Sequence, residues 1–309
     1  MAEESIAVPR RKPLRLILDN PVVLKELRGR MRGARAFTVL TVYLLLLGAF
    51  SSLIYVAVAE SAMSVSGQVN IGQIGRTLFA GVVAIEMLLV SFIAPAFTAG
   101  AISGEREHQT YDLLRTTLLP ARSLVLGKLL AAILYVLLLL LAAIPLQSIA
   151  FFFGGVAETE VILSFVILLA TALLFSTIGI YFSTRTRRTL SASVLTYATA
   201  TFVTFGLPII VGSLVVVFGM SLSGVQSPRT EMVLLYALGL VLCTNPAATA
   251  LLTQYVLINQ RTIGVFSYTL SSGEKITLIS PWIPFTILYV LLTIVFFFLS
   301  VRRAKAVEE

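Results

Sequence analysis

One cysteine, Cys243, and one histidine, His108, in 309 residues leave nothing to pair as a disulfide and no spaced His/Cys set to hold a metal. Charged residues make up only 12% of the chain, about half of what a soluble domain carries. No Gly-x-x-x-x-Gly-Lys-Ser/Thr loop is present to cradle phosphates. The nearest string, Gly127-Lys128-Leu129, lacks both the upstream glycine and the hydroxyl, so ATP chemistry has to come from another polypeptide. A Gly-x-Ser-x-Gly elbow and a His-Glu-x-x-His helix are missing too, which removes the common hydrolase and metalloprotease chemistries. Internal repeats, Gly/Ser-rich linkers and a soluble globular segment are also lacking. The basic N-terminal stretch has no short apolar core before a small-residue cleavage site, so it does not read as a secretory signal peptide.

Apolar side chains dominate the remainder, at 58% of residues and a mean hydropathy of +0.96. A bilayer core is about 30 Å thick and satisfies no backbone group, so such a chain crosses it as helices of about 20 apolar residues. Six runs near 36–58, 78–102, 124–152, 161–182, 190–218 and 281–301 predict an all-α integral membrane protein. The net charge of +8 is unevenly placed. Of 23 Lys and Arg, nine lie between Arg10 and Arg35, four between the second and third spans, three at 185–188 and three at 302–305. Only Arg76, Arg229, Arg261 and Lys275 fall on the other side. This positive-inside pattern predicts a multi-pass protein of the cell membrane with both termini cytoplasmic, and it argues against a nucleic-acid partner.

Residues 1–13 read as a disordered tail, and 14–309 as one transmembrane domain. Asp19-Asn20-Pro21 is a helix start, and Val23, Leu24, Leu27 and Met31 recur at helical spacing. Residues 21–33 are therefore expected as an amphipathic helix in the cytoplasmic interface. The apolar stretch 231–258 is long enough to span once, and counting it as a seventh span changes the charge balance little, to 18 bases against 5. Asn245-Pro246 breaks it midway, since proline lacks the amide donor and crowds the preceding turn. The expectation is a re-entrant helical hairpin ahead of the last span, which opens at Pro281-Trp282 with the tryptophan at a headgroup belt.

Glu86 is the one acidic residue deep in a span. A carboxylate at mid-bilayer costs about 2.5–3.5 kcal/mol on insertion scales, so it faces the bundle interior, a watery path or a partner. Two readings stand: a residue of the pathway or subunit interface, or a carboxyl hydrogen-bonded to fifth-span hydroxyls such as Thr199, Thr201 and Thr204. That span also holds Ser191, Ser193 and Thr196, and small hydroxylated residues let helices approach closely. The densest polar run lies between the second and third spans: Ser103-Gly104-Glu105-Arg106-Glu107-His108-Gln109-Thr110-Tyr111-Asp112-Leu113-Leu114-Arg115. Its mixed charges must face water, and Tyr111, Leu113 and Leu114 add apolar groups that solubility does not require. His108, with no nucleophile or second ligand beside it, reads as a solvated loop residue.

With Pro95-Ala96-Phe97-Thr98-Ala99-Gly100 ahead of it and Leu119-Pro120 and Gly127-Lys128 behind, this loop resembles the cytoplasmic loop of ABC transporter permeases of the type-2 exporter class. Asn20-Pro21 with Lys25-Glu26-Leu27-Arg28, and Asn245-Pro246 late in the chain, are similar to that class as well. Arg115-Thr116-Thr117 departs from the usual apolar-Thr-Pro run. The resemblance implies a permease subunit with no catalytic, cofactor or metal site of its own. Its partners would be membrane lipid, a second permease copy in a homodimer or heterodimer, and separate ABC ATPase subunits that carry ATP and Mg. It implies further that Glu105, Arg106, Glu107, Gln109, Thr110, Tyr111, Asp112, Leu113 and Leu114 receive the ATPase through a coupling helix opening near Gln109-Thr110. The rival class is an ATP-independent secondary transporter or channel subunit, which more often shows several intramembrane ionisable residues and an inverted repeat. A non-transporting membrane scaffold is a further alternative.

Overall fold

A computed structural model describes residues 21–31, 34–65, 71–110, 120–222, 228–270 and 272–306. Helix α1 (Pro21–Met31) is followed by α2 (Ala34–Val65), α3 (Ile71–Ala96), the short α4 (Ser103–Glu107), α5 (Ala121–Phe152) and α6 (Glu158–Arg185). Then come α7 (Thr189–Thr201), a π-helical turn (Phe202–Gly206), α8 (Leu207–Leu222), and the half-helices α9 (Pro228–Leu242) and α10 (Pro246–Gln260). Strands β1 (Val265–Thr269) and β2 (Lys275–Ile279) precede α11 (Trp282–Ala306). Among the described residues six segments are long and apolar enough to cross a membrane: Ala36–Glu60, Ile71–Ala96, Ala121–Phe152, Glu158–Arg185, Thr189–Ser213 and Trp282–Lys305. The chain is a mostly helical, multi-pass membrane protein.

The bundle is organised on α6. Its most apolar window is 67% buried, against 17% for the first, fifth and last spans, so α6 is the central helix and those three are peripheral. Helices α3, α5, α7, α10 and α11 pack on it, and Met87, Val90, Leu140, Ile167, Phe175 and Tyr289 fill the main core. A second cluster joins α2, α3 and α5 through Tyr43, Leu47, Phe79, Val82 and Leu139. The thinly covered α2 leaves Phe37, Leu45 and Leu53 outward, as suits a helix whose solvent is hydrocarbon.

Helix α3 opens at Ile71, earlier than the expected 78, and stops at Ala96 instead of 102. Its start tolerates Arg76 because the Arg76 Nε donates to the Gly155 carbonyl, in the turn after α5 where Gly154 and Gly155 both have positive φ. Beyond Ala96 the chain runs through successive hydrogen-bonded turns to Ile102. Those turns stay apolar, at Phe97, Ala99 and Ile102, which is why hydropathy extends the span across them. Helix α1 buries Val22 and Val23 and packs on α5, while Leu24 and Met31 remain 45% and 50% exposed, so its apolar stripe divides between the bundle and its surroundings. The tail 1–13 and Gly33 lie outside the described residues.

Residues 231–258 fall into α9 and α10, each of 15 residues. At about 22 Å, either one is shorter than the roughly 30 Å hydrocarbon core. Asn245 makes the break: its Oδ1 accepts the Ala248 N–H at 2.8 Å, and Pro246 takes a first-turn position that needs no donor. Its Nδ2 donates to the Val203 and Thr204 carbonyls at 2.8 and 2.9 Å. The π-helical turn, closed from Leu207 N–H to the Phe202 carbonyl, widens the helix there and lets those carbonyls turn aside. Tyr289 on α11 donates to the Thr244 carbonyl at 2.9 Å, so the irregular backbone finds its partners within protein.

The all-α expectation omits one element. Strands β1 and β2 pair antiparallel, from Val265 opposite Ile279 to Thr269 opposite Lys275, with Gly273 at φ +86° in the turn. The sequence carries the signal, since β-branched and aromatic residues flank a Ser-Ser-Gly turn on both sides. Tyr236 donates to the Thr277 carbonyl at 3.0 Å and the Trp282 indole to the Ile263 carbonyl at 2.8 Å, which fastens this segment to α9 and α11.

Candidate functional site

The charged loop between the second and third spans is bonded to four helices at once. At its start, Ser183 of α6 accepts the Ile102 and Ser103 N–H groups at 2.8 and 2.9 Å, with the Ser103 hydroxyl 3.2 Å away. All three residues are fully buried, so one hydroxyl satisfies two amides that α4 itself leaves open. Ile102 then joins Leu124, Val125, Ile180, Val301 and Ala304 in an apolar cluster at this end of the bundle.

Lys128, about two turns into α5, is 3% exposed and holds the centre. Its Nζ donates to Glu105 Oε1 at 2.8 Å, to Glu26 Oε1 of α1 at 3.1 Å and to the Ala101 carbonyl at 2.8 Å. Arg30 lies 3.7 Å from Glu26, donates to the Phe97 carbonyl at 2.9 Å and rests over the Phe97 ring at 5.3 Å. Two carboxylates and two cations thus balance at the junction of α1, the loop and α5. Arg106 donates to the Thr184 carbonyl at 2.9 Å, at the end of α6 where carbonyls lack helical partners and a cation is favoured.

Glu107 occupies the N-terminus of α7, accepting the Thr189 hydroxyl at 2.6 Å and the Thr189 N–H at 3.1 Å. These two bonds, the hydroxyl first, hold its carboxyl below the ordinary glutamate value of 4.5, with His108 and Arg188 adding smaller contributions. A depressed folded-state value stabilises above 4.5 and is lost as pH falls through it. The melting midpoint of Glu107→Gln is therefore expected below that of the parent at neutral pH, with the difference closing on acidification below 4.5. A difference independent of pH would remove the charge from the account.

Helix α4 closes with the Thr110 N–H on the Glu105 carbonyl at 2.9 Å and Gln109 left-handed at φ 58°. The described helix thus ends where the coupling helix was expected to open. Glu105 and Arg106 turn inward, whereas His108, Gln109 and Thr110 are exposed. Tyr111, Asp112, Leu113 and Leu114 lie outside the described residues.

Glu86 is fully buried, and its partner is Gln147 of α5, whose Nε2 donates to Oε2 at 2.7 Å. Its Oε1 and the buried hydroxyl of Tyr43 have no hydrogen-bond partner among the described residues, and the two groups are close enough to interact electrostatically. None of the expected fifth-span hydroxyls is bonded to Glu86 among the described residues. Thr199 donates to the Leu195 carbonyl of its own helix at 2.8 Å, Thr201 is exposed, and the buried Thr204 hydroxyl has no partner among the described residues although its carbonyl accepts from Asn245. Gln147, Lys128 and Ser183 were not singled out as site residues. The first two are polar groups within apolar spans, which demand partners and were a usable signal; Ser183 gave none.

Among the described residues no three His, Cys, Asp or Glu side chains converge on a point. Compared with known proteins, the chain matches no family model and no curated sequence.

Proposed function

We propose that this chain is the membrane-spanning permease subunit of an ATP-driven exporter of the ABC type-2 class. It works in the cell membrane with a second permease copy and separate ATPase subunits, both of its termini cytoplasmic. The observation that carries this reading is the attachment of one polar loop to α1, α5, α6 and α7 through Arg30, Lys128, Ser183, Arg106 and Glu107. A loop needed only for solubility requires no such fastening. A force delivered by an ATPase just beyond Thr110 passes through these bonds into several spans together. In this reading Glu105, Arg106 and Glu107 position the coupling segment, and Gln109 to Leu114 meet the ATPase. The half-helices α9 and α10 dip in from the outer face. The thinly covered α7–α8 segment, with Thr201 and Phe202 outward, is offered to the second copy.

Co-purification tests the reading. Replacing Tyr111 and Leu114 together with Asp is expected to remove an associated ATPase from the purified complex while the bundle stays monodisperse and keeps its melting midpoint. ATPase binding that survives the double change would overturn the coupling assignment.

A further inference from the structure

At the end of the bundle opposite Lys128, α3, α6 and α10 border a partly open groove of about 110 Å³. Its walls are apolar, formed by Phe79, Val83, Met87, Leu163, Ile167 and Leu257, and its polar groups are few. Ser164 bonds the Val161 carbonyl at 2.8 Å and offers little. Glu160 differs. Its Oε1 accepts the Ala157 N–H at 3.3 Å, but Oε2 has no partner although the residue is 6% exposed. The Thr253 hydroxyl, on a residue 2% exposed, is likewise without a partner in the same groove. No ion pair reaches Glu160 among the described residues, and Arg76, the base that acts on it from a distance, has its Nε on the Gly155 carbonyl.

A carboxylate withdrawn from water beside apolar walls is costly until a counter-charge arrives. We propose that this groove binds a hydrophobic organic cation, its charged centre at Glu160 and its apolar groups along α3, α6 and α10. One carboxylate among apolar walls does not suit a bare metal ion, which takes several oxygen ligands. The acidic group selects against anionic amphiphiles, and binding here is independent of whether the chain transports anything.

The experiment uses the full-length chain in nonionic detergent, with empty micelles as the blank and equilibrium dialysis as the readout. The probes are tetraphenylphosphonium and tetraphenylborate, which share a shape and differ in the sign of charge. Saturable binding of the cation and none of the borate is expected. Glu160→Gln keeps an oxygen for the Ala157 N–H but loses the charge, and should weaken cation binding about tenfold, the worth of one charge-assisted contact. Ala84→Phe, which fills the groove from an exposed position, should abolish binding with the melting midpoint unchanged. No saturable cation binding, equal binding of both probes, or an unaltered affinity in Glu160→Gln would each overturn the proposal.

Discussion

Lys128→Met is expected to be among the most damaging single changes in the chain, costing about 3 kcal/mol of stability. Removing one partner of a buried charge pair typically costs about 3–5 kcal/mol, because the charges left behind lose their compensation. Here Glu105 and Glu26 are left, each also hydrogen-bonded to Nζ, and the Ala101 carbonyl loses its donor. The lower end of the range applies because the Glu105 and Glu26 side chains retain 20% and 23% exposure, and Arg30 still faces Glu26. Methionine matches the length of the lysine stem, so the loss is electrostatic and not a cavity. The measurement is the melting midpoint of the detergent-solubilised protein. Adding Glu26→Gln and Glu105→Gln to the same variant should recover much of the loss, since a neutral cluster has no stranded charge. Parent-like melting of Lys128→Met alone would show that the cluster contributes nothing to stability.

The second large effect is steric. A Cβ at Gly179 of α6 would collide with the Thr98 hydroxyl, lie 3.1 Å from Thr98 Cβ and stand 3.2 Å from the Ala99 amide nitrogen. Thr98 is fully buried and held in the turns after α3, so it has no free direction in which to move. Overpacking of a filled interior costs about 1–3 kcal/mol. Gly179→Ala is expected at the upper part of that range, and Gly179→Leu is expected to yield no monodisperse protein. Thr98→Ala, nearly neutral alone, should relieve much of the Gly179→Ala defect, because it removes the colliding hydroxyl and leaves only the tight approaches of the position-98 Cβ and the Ala99 nitrogen. If the two changes add instead of compensating, α6 does not approach the loop as closely as described.

How far each feature was readable follows from the distance over which it is decided. The six long apolar helices and the break at Asn245-Pro246 depend on neighbours within one or two turns, and they were legible. The start of α3 was placed late because Arg76 interrupts the hydropathy, and its partner is a carbonyl 79 residues away. The β1–β2 hairpin is legible locally, in β-branched runs on either side of a Ser-Ser-Gly turn, beside helical segments that dominate the hydropathy. Glu86 stood out as a buried carboxylate in need of a partner, yet the choice of Gln147 over Thr199, Thr201 or Thr204 belongs to the packing of α3 on α5.

The charged loop shows the same division within a few residues. Its composition alone requires contact with water, because a bilayer supplies no partner for charges, and that requirement is local to the chain. Which of its residues turn inward depends on helices remote in sequence: Glu105 meets Lys128 across 23 positions, Lys128 meets Glu26 across 102, and Ser103 meets Ser183 across 80. Hydrogen bonds and ion pairs act over about 3 Å, so no pattern along the chain can assign them before the helices are packed.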